Sequence, residues 1–509
     1  MSIYSFSPFG YEGSTVTVEV DLRRGIPAVD IVGLADACVS ASRARIREAI
    51  AQSGFDFPQE RVLISLSPAD LYKEGSTFDL AVALAILAEK EGIKTENVLV
   101  MGELTARGDV LPVRAVEAAL QTVHEQGIRY AIIPATGNVA SIPDGMEVAS
   151  VTTLGGAYDT LKMNGFSKPD NKPSDGGFKV EFEPVDFDNN LDCINGIDGL
   201  KYAMAVAVAG RHNILAYGAP GCGKTLTFQH MPELLPKLTK DEIQAVDRIY
   251  SLAGLSGTDC VVNHTRPFRM PHQFTTIESM CGGGASLKPG EITLAHNGVL
   301  FLDEAAEFRS SVLQMLRVPV EAGQVTLSRA GRSTAFPANF QLVMAANPCP
   351  CGNYGVKDRV CLCSARSIDQ YWRKFGGPLL DRISVRFNMS TQNGMEVSKW
   401  SLEALRRKIR IAWERQYKRQ GKLNQDLEPM YVLEYCKMSD GARGLLDEEE
   451  LARDLSPRAL ANIMKLARTI ADMHDTANDL FPEEETDSLI QTRDMATALQ
   501  LFGKLPVEL

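Results

Sequence analysis

The stretch NILAYGAPGCGKTLTF (213–228) joins an apolar run, a glycine turn and the start of a helix. Gly218, Gly223, Lys224 and Thr225 fit G-x-x-x-x-G-K-[ST], with Ala219, Pro220, Gly221 and Cys222 between the two glycines. In such a loop backbone N–H groups surround the phosphates of a nucleotide, because glycine lets the chain come close to the anion. Lys224 would reach the outer phosphates, and the Thr225 hydroxyl would coordinate Mg2+. The bland alternative is an incidental glycine turn, and the apolar strand in front of it argues against that. Cys222 reads as a small filler rather than a redox switch.

Three further stretches offer partners for a nucleoside triphosphate. NGVLFLDEAAEF (297–308) is an apolar strand ending in Asp303-Glu304. There Asp303 can hold Mg2+ through water and Glu304 can polarise the attacking water. FQLVMAANP (340–348) ends in Asn347, whose amide can position that water or can simply begin a turn. GGPLLDRISVRF (376–387) places Arg382 at a helix end before another strand. A guanidinium lent to a neighbouring subunit would stabilise the charge of phosphoryl transfer. Finally, LSPRALANIMKLARTIADM (455–473) opens a helix with Arg458 in its first turn. A cation is unfavourable at that end unless it meets an anion.

Ten cysteines divide into two groups. Six are scattered (38, 193, 222, 260, 281 and 436) and are expected to pack as small hydrophobes. Cys349, Cys351, Cys361 and Cys363 are clustered, and two readings stand. Four thiolates can close a tetrahedral structural Zn2+ site. Otherwise they form a loop of reduced, partly packed thiols.

The elements that must position these groups follow from patterning. The chain has 509 residues, 45% hydrophobic and 23% charged, which is globular composition spread over several domains. Its longest apolar run, LAVALAILA (80–88), is far short of the roughly 20 residues that span a bilayer. The N-terminus lacks the basic and apolar pattern of a signal peptide, so a cytoplasmic location without membrane partners is expected. Residues 1–165 alternate strand-like and helix-like segments. Residues 166–184, beginning FSKPDNKPSDGG, read as a linker. Residues 185–390 form a second α/β region, and 391–509 read as all-helical.

The order of these motifs resembles the AAA+ ATPases. RPFRMPHQ (266–273), CGGGASLKPGEITLAHNGVLFLDE (281–304), NPCPCGNYG (347–355) and GPLLDRI (377–383) are similar to the Mg-chelatase-like branch, and most of all to the ComM (YifB) family, over essentially the whole chain. The resemblance implies an α/β AAA+ parallel-sheet P-loop core, an all-α C-terminal lid and an S5/Lon-like α+β N-terminal domain. It makes Asn347 sensor 1, Arg382 the arginine finger and Arg458 sensor 2, with ATP and Mg2+ as cofactors. Ala305-Ala306 and Gln273 stand where the family commonly has Leu-Pro and a second histidine.

Lon-type Ser-Lys peptidases have a serine that falls on Thr77 here, with Ser76 one residue early. Their lysine position is taken by Glu117, and a carboxylate cannot serve as the neutral amine base of a Ser-Lys dyad. The N-terminal domain is therefore expected to be catalytically inactive.

Net charge is −11, so nucleic acid could be held only through local basic features. Residues 265–289, with Arg266, Arg269, His272, Lys288 and three consecutive glycines, suit a mobile pore loop. VTLSRAGRSTAFPANF (325–340) reads as a hairpin whose turn, Ala330-Gly331, is flanked by Arg329 and Arg332. Lys288, Arg329 and Arg332 are candidate phosphate contacts, against the alternative of an ordinary solvated hairpin. The family resemblance implies a hexameric ring acting on single- or double-stranded DNA and branched junctions, driving branch migration in natural transformation. A chelatase-type motor working on a partner protein is the alternative, and a protein-remodelling or proteolytic machine the third reading.

Overall fold

The computed structural model describes residues 2–32, 37–68, 76–93, 97–135, 142–163, 165–166, 180–186, 188–284, 287–329, 332–356, 359–390, 400–474 and 489–506. Most of the expected linker, the hairpin turn 330–331 and the residues 391–399 that open the lid region lie outside the described residues.

The N-terminal part carries strands β1 (Ser2–Ser7), β2 (Ser14–Arg23), β3 (Val29–Val32), β4 (Arg61–Ser67), β5 (Val98–Val100), β6 (Glu103–Leu104), β7 (Val110–Leu111), β8 (Tyr130–Pro134) and β9 (Glu147–Val151). Seven of them form one sheet in the order β3-β4-β2-β1-β5-β8-β9, and β6 pairs with β7. Along β2 the valines 16, 18 and 20 are buried while Glu19 is exposed, the alternation of a half-buried strand. The apolar run 80–88 is a core helix, Asp79–Glu91, buried from Asp79 through Ala88. Among the described residues no helix is long and apolar enough to cross a membrane.

The central part contains β10 (Ile214–Tyr217), β11 (Phe268–Arg269), β12 (Gly282–Gly283), β13 (Lys288–Pro289), β14 (Val299–Leu302), β15 (Gln324–Arg329), β16 (Arg332–Pro337), β17 (Gln341–Ala346) and β18 (Val385–Asn388). Five form a parallel sheet in the order β11-β14-β17-β10-β18, while β12–β13 and β15–β16 are antiparallel hairpins. Every residue of β10, β14 and β17 is buried, as expected of parallel strands covered on both faces. Parallel strands put all their C-terminal ends along one edge. The glycine loop, Asp303-Glu304 and Asn347 therefore share an edge, and Arg382, which precedes β18, lies at the other.

C-terminal helices Leu402–Gln420 and Pro457–Asp472 cover the core helix Asp198–Gly210, with Leu405, Ile409, Trp413, Leu466 and Ile470 in one shared cluster. Trp413 Nε1 donates to the Val208 carbonyl at 3.2 Å, and Gln416 Nε2 to that of Ala209 at 2.9 Å. The expected linker proves shorter at its far end. Val180 is buried in that cluster and Phe182 lies beneath Arg406 and Arg410, so residues 180–184 are anchored rather than free.

The N-terminal sheet docks on helix Lys240–Ala253 and on the β15–β16 hairpin. Arg248 donates to the carbonyls of Tyr11 (3.1 Å) and Glu12 (3.0 Å) and to Thr122 Oγ1 (3.1 Å). Phe336 of β16 is fully buried among Phe6, Leu99, Met101 and Leu120, and Tyr11 N donates to Thr334 Oγ1 at 3.0 Å. One face of the hairpin is thus packed against the N-terminal sheet, so the alternative of an ordinary solvated hairpin does not describe that face.

Candidate functional site

After β10 the chain turns through 218–223 into helix Lys224–Gln229, with Gly223 at φ +90°, a conformation that side chains disfavour. Gly218 N donates to the Ala346 carbonyl at 3.3 Å, tying the loop's entry to the end of β17. Lys224 is buried, and its Nζ donates to the carbonyls of Gly218 and Ala219, both at 2.8 Å. It arches over the ground that nucleotide phosphates occupy in such loops. Thr225 Oγ1 donates to Asp303 Oδ1 at 2.9 Å, which joins the two groups expected to share Mg2+. A hydroxyl and a carboxylate this close fit the all-oxygen ligation of that hard cation.

Glu304 has φ +47°, and its N–H donates to Asp303 Oδ1 at 3.0 Å. A non-glycine residue held there costs about 1–3 kcal/mol, a strain that collects at working sites. Its side chain is exposed at the shared edge. Asn347 is half-buried, its backbone bonded by the Tyr371 hydroxyl, while Trp372 Nε1 donates to the Pro348 carbonyl at 3.0 Å. Burial pushes the Tyr371 hydroxyl up, so it stays un-ionised.

Arg382 and Arg458 are brought together, away from the loop. Both guanidinium groups pair with Glu321, Arg382 on Oε2 and Arg458 on Oε1. This is the anion that a cation at a helix start requires, and it comes from within the chain. Burial, then the neighbouring charges of Arg458 and Arg317, lower the pKa of Arg382. Its Nε finds no acceptor among the described residues. Arg211, Asn213 and Lys465 join Glu321 and the two arginines around a cleft of about 630 Å³. A four-residue strand spans about 13 Å, so this cleft and the glycine loop of one chain face different ground. Glu321 was not singled out from sequence; the cation at the start of helix Pro457–Asp472 was the signal that could have found it.

The four clustered cysteines converge. Cys349 Sγ lies 3.4 Å from Cys351 Sγ and 3.7 Å from Cys361 Sγ, with Cys351 and Cys361 3.6 Å apart. All four sulfurs lie within 4.8 Å of one another. Tetrahedral ligands about 2.3 Å from a central zinc stand about 3.8 Å apart, so the donor set fits that ion in number, chemistry and spacing. The Asn353 backbone N–H is the main cause that holds the Cys351 thiol down to about 6. At Cys361 and Cys363 a backbone N–H also lowers the thiol, but burial and the sulfurs beside them outweigh it and raise both. Of the scattered cysteines Cys436 is buried as expected, but Cys193 is exposed.

Two of the basic residues expected in a mobile loop are instead committed within the chain. Arg266 is held by Glu242 at 2.7 Å and lies over the Trp413 ring, and Arg269 is held by Glu291 at 2.7 Å. Lys288 is exposed on β13. Arg329 and Arg332 pair in register as the last rung of the β15–β16 ladder, flanking the turn as read from sequence. In the N-terminal part Ser76 and Thr77 are half-buried, and Thr77 accepts from Gly102 N at 3.2 Å. Glu117 is buried, with Ser256 of the core 3.5 Å from its carboxylate.

A glycine loop after the fourth strand of a β11-β14-β17-β10-β18 parallel sheet, an acidic pair two strands away and a helical cover define a AAA+ P-loop module. Family profiles agree: magnesium chelatase, subunit ChlI matches residues 190–397, subunit ChlI of Mg-chelatase matches 18–137, and the magnesium chelatase subunit ChlI C-terminal profile matches 399–500. The chain is 33% identical to the YifB protein of Escherichia coli over 99% of both chains. It is 34% identical to competence protein ComM of Haemophilus influenzae over 92% of this chain and 93% of that one. Similarity to the magnesium-chelatase 38 kDa subunit of Cereibacter sphaeroides is 26% and covers 31% of this chain and 52% of that one. The chain belongs to the ComM/YifB family of Mg-chelatase-like AAA+ proteins.

Proposed function

We propose that the protein is a ring-forming ATPase, a hexamer of AAA+ type, that translocates on DNA and drives branch migration during the recombination step of natural transformation. One observation carries this reading: the similarity to a competence protein extends across 92% of the chain, whereas that to a chelatase subunit covers 31%. In the ring, Lys224, Thr225 and Asp303 would hold ATP and Mg2+, and Glu304 and Asn347 would handle the attacking water. Bound Mg2+ would supply charge neutralisation between the outer phosphates. Arg382 and Arg458 would leave Glu321 for the phosphates of a neighbour's nucleotide. A chelatase-type motor acting on a partner protein is the second reading, favoured by the three chelatase profiles along the chain.

The arginines that close the β15–β16 ladder supply the DNA test. Replacing Arg329 and Arg332 together by Ala should leave basal ATPase nearly intact and remove its stimulation by DNA. Each lost phosphate contact should also reduce the log-log salt slope of duplex binding by about 0.9. Stimulation that survives the double substitution would remove the hairpin from the DNA track.

The N-terminal domain is taken to be a silent Lon-like frame. Glu117, in the place of the peptidase lysine, is buried where the domain meets the core. Unfolded casein incubated with the protein and ATP should yield no fragments, and Thr77→Ala should leave ATPase unchanged. ATP-dependent fragments that vanish with Thr77→Ala would reverse this assignment.

The cysteine loop is proposed to hold one zinc per chain. Elemental analysis of protein purified without a metal-binding tag should return a ratio near one; a ratio near zero in reduced protein would leave the packed-thiol reading.

A further inference from the structure

We propose that the metal state of the cysteine loop sets the affinity of the glycine loop for ATP, through contact between Gly352 and Pro220. This deepens the zinc reading above and rests on it. The cysteine loop hangs from the end of β17, two residues past Asn347, and Cys349 is buried in the core beside Trp372. A turn in which Gly352 N donates to the Cys349 carbonyl at 3.0 Å then throws residue 352 against the phosphate loop. A Cβ at 352 would stand 2.7 Å from Pro220 Cδ and 3.2 Å from its Cγ. Gly352 has φ +77°, so both its conformation and its neighbour demand glycine.

Pro220 lies midway along the segment whose N–H groups cradle phosphates, and its ring rests on the backbone of the cysteine loop. That loop runs from 349 to 363 without helix or strand among its described residues. Apart from Cys361 and Cys363, which pack partly buried against the core, its far arm is little held by packing, since Val360 and Leu362 are 77% and 89% exposed. What binds the far arm to the near one is the cluster of Cys361 and Cys363 with Cys349 and Cys351. A metal shared by the four sulfurs closes the loop and fixes Gly352 beneath Pro220. Loss of the metal frees the loop, and the phosphate loop loses one wall. The same segment leads back to Asn347, so one ion braces both the group that binds phosphates and the group proposed to position water. Structural metal and nucleotide are then coupled ligands, and the coupling must be reciprocal.

The test uses full-length protein purified without a metal-binding tag and a fluorescent, non-hydrolysable ATP analogue. Affinity is measured on zinc-loaded protein, on protein stripped by a strong chelator that is then removed, and after one equivalent of zinc is returned. Circular dichroism confirms that the stripped chain remains folded. Stripping should weaken the analogue about tenfold, and zinc should restore it. Conversely, chelator competition should show zinc held tighter by the same factor when the analogue is saturating. Pro220→Ala should bind the analogue equally with and without zinc, because the contact that carries the coupling is gone.

Gly352→Ala keeps the test decisive if stripping unfolds the chain: it should retain one zinc and still bind the analogue several-fold more weakly. A folded, stripped protein with unchanged affinity would overturn the proposal, as would a zinc-bearing Gly352→Ala variant that binds like the parent. So would coupling that persists in Pro220→Ala. Protein that carries no zinc and takes none up removes the zinc reading and this inference together. Protein that holds zinc and binds the analogue without coupling removes this inference alone.

Discussion

Arg382→Ala should leave ATP binding intact and lower turnover by about 10³-fold or more, the effect of removing a guanidinium that neutralises transition-state charge in phosphoryl transfer. The geometry explains why binding survives. Arg382 precedes β18, at the edge opposite the loop that follows β10, so it takes no part in holding its own chain's nucleotide. It is also poised to leave its present partner. Glu321 is half-exposed and shared with Arg458, and Arg382 Nε finds no acceptor among the described residues. A triphosphate offers more negative charge than one shared carboxylate, and bidentate Arg–phosphate pairing is strong. Mixing Arg382→Ala subunits with Glu304→Gln subunits should therefore restore part of the activity. Some interfaces then join an intact Glu304 to an intact Arg382. No recovery at any mixing ratio would show that Arg382 does not act across an interface.

Asp472→Ala should destabilise the chain by about 3–5 kcal/mol, the range for breaking a buried ion pair from one side. Asp472 is fully buried and receives Arg419 at 2.7 and 2.8 Å, Arg468 at 2.7 and 3.0 Å and Asn424 Nδ2 at 3.0 Å. Burial by itself would raise its pKa; Arg468 and Arg419 reverse that and hold the carboxyl below its ordinary range. Without the carboxylate, two guanidinium groups remain in the seam between helices Leu402–Gln420 and Pro457–Asp472. Asp21→Asn is the control. The Arg23–Asp21 pair is 61% and 55% exposed and should contribute no more than about 1 kcal/mol. Urea unfolding followed through the C-terminal transition distinguishes the two. A loss for Asp472→Ala no larger than that of the control would show that the buried network does not hold the two cover helices together.

The placement of the glycine loop, Asp303-Glu304 and Asn347 at strand ends was legible because it is local. A buried parallel strand must be an unbroken apolar run, and its functional residue stands at the run's end. ILAY before the glycine loop, VLFL before Asp303 and QLVMAA before Asn347 each carry that signature. Arginines do not announce their partners in this way. Arg266 and Arg269 looked free, yet their carboxylates lie 24 and 22 positions away and are met only through folding. Glu321 is 61 positions from Arg382 and 137 from Arg458, and nothing in VPVEAGQ distinguishes it from a surface acid. The approach of Gly352 to Pro220 is hidden for the same reason. C-x-C spacing shows that four sulfurs are near in sequence, not which wall of the site they support. The pairing of β15 with β16 was readable from sequence, but the burial of Phe336 against the N-terminal sheet depends on a docking that no local pattern encodes.

ATP turnover is proposed to move DNA. The direct measurement follows a labelled synthetic four-way junction incubated with the protein under ATP, under a non-hydrolysable analogue, and with the Glu304→Gln variant. Strand exchange is expected with wild-type protein and ATP alone, and binding without movement in the other two cases. A wild-type ring that hydrolyses ATP at a rate indifferent to every DNA substrate, and leaves the junction where it was, would contradict the proposal.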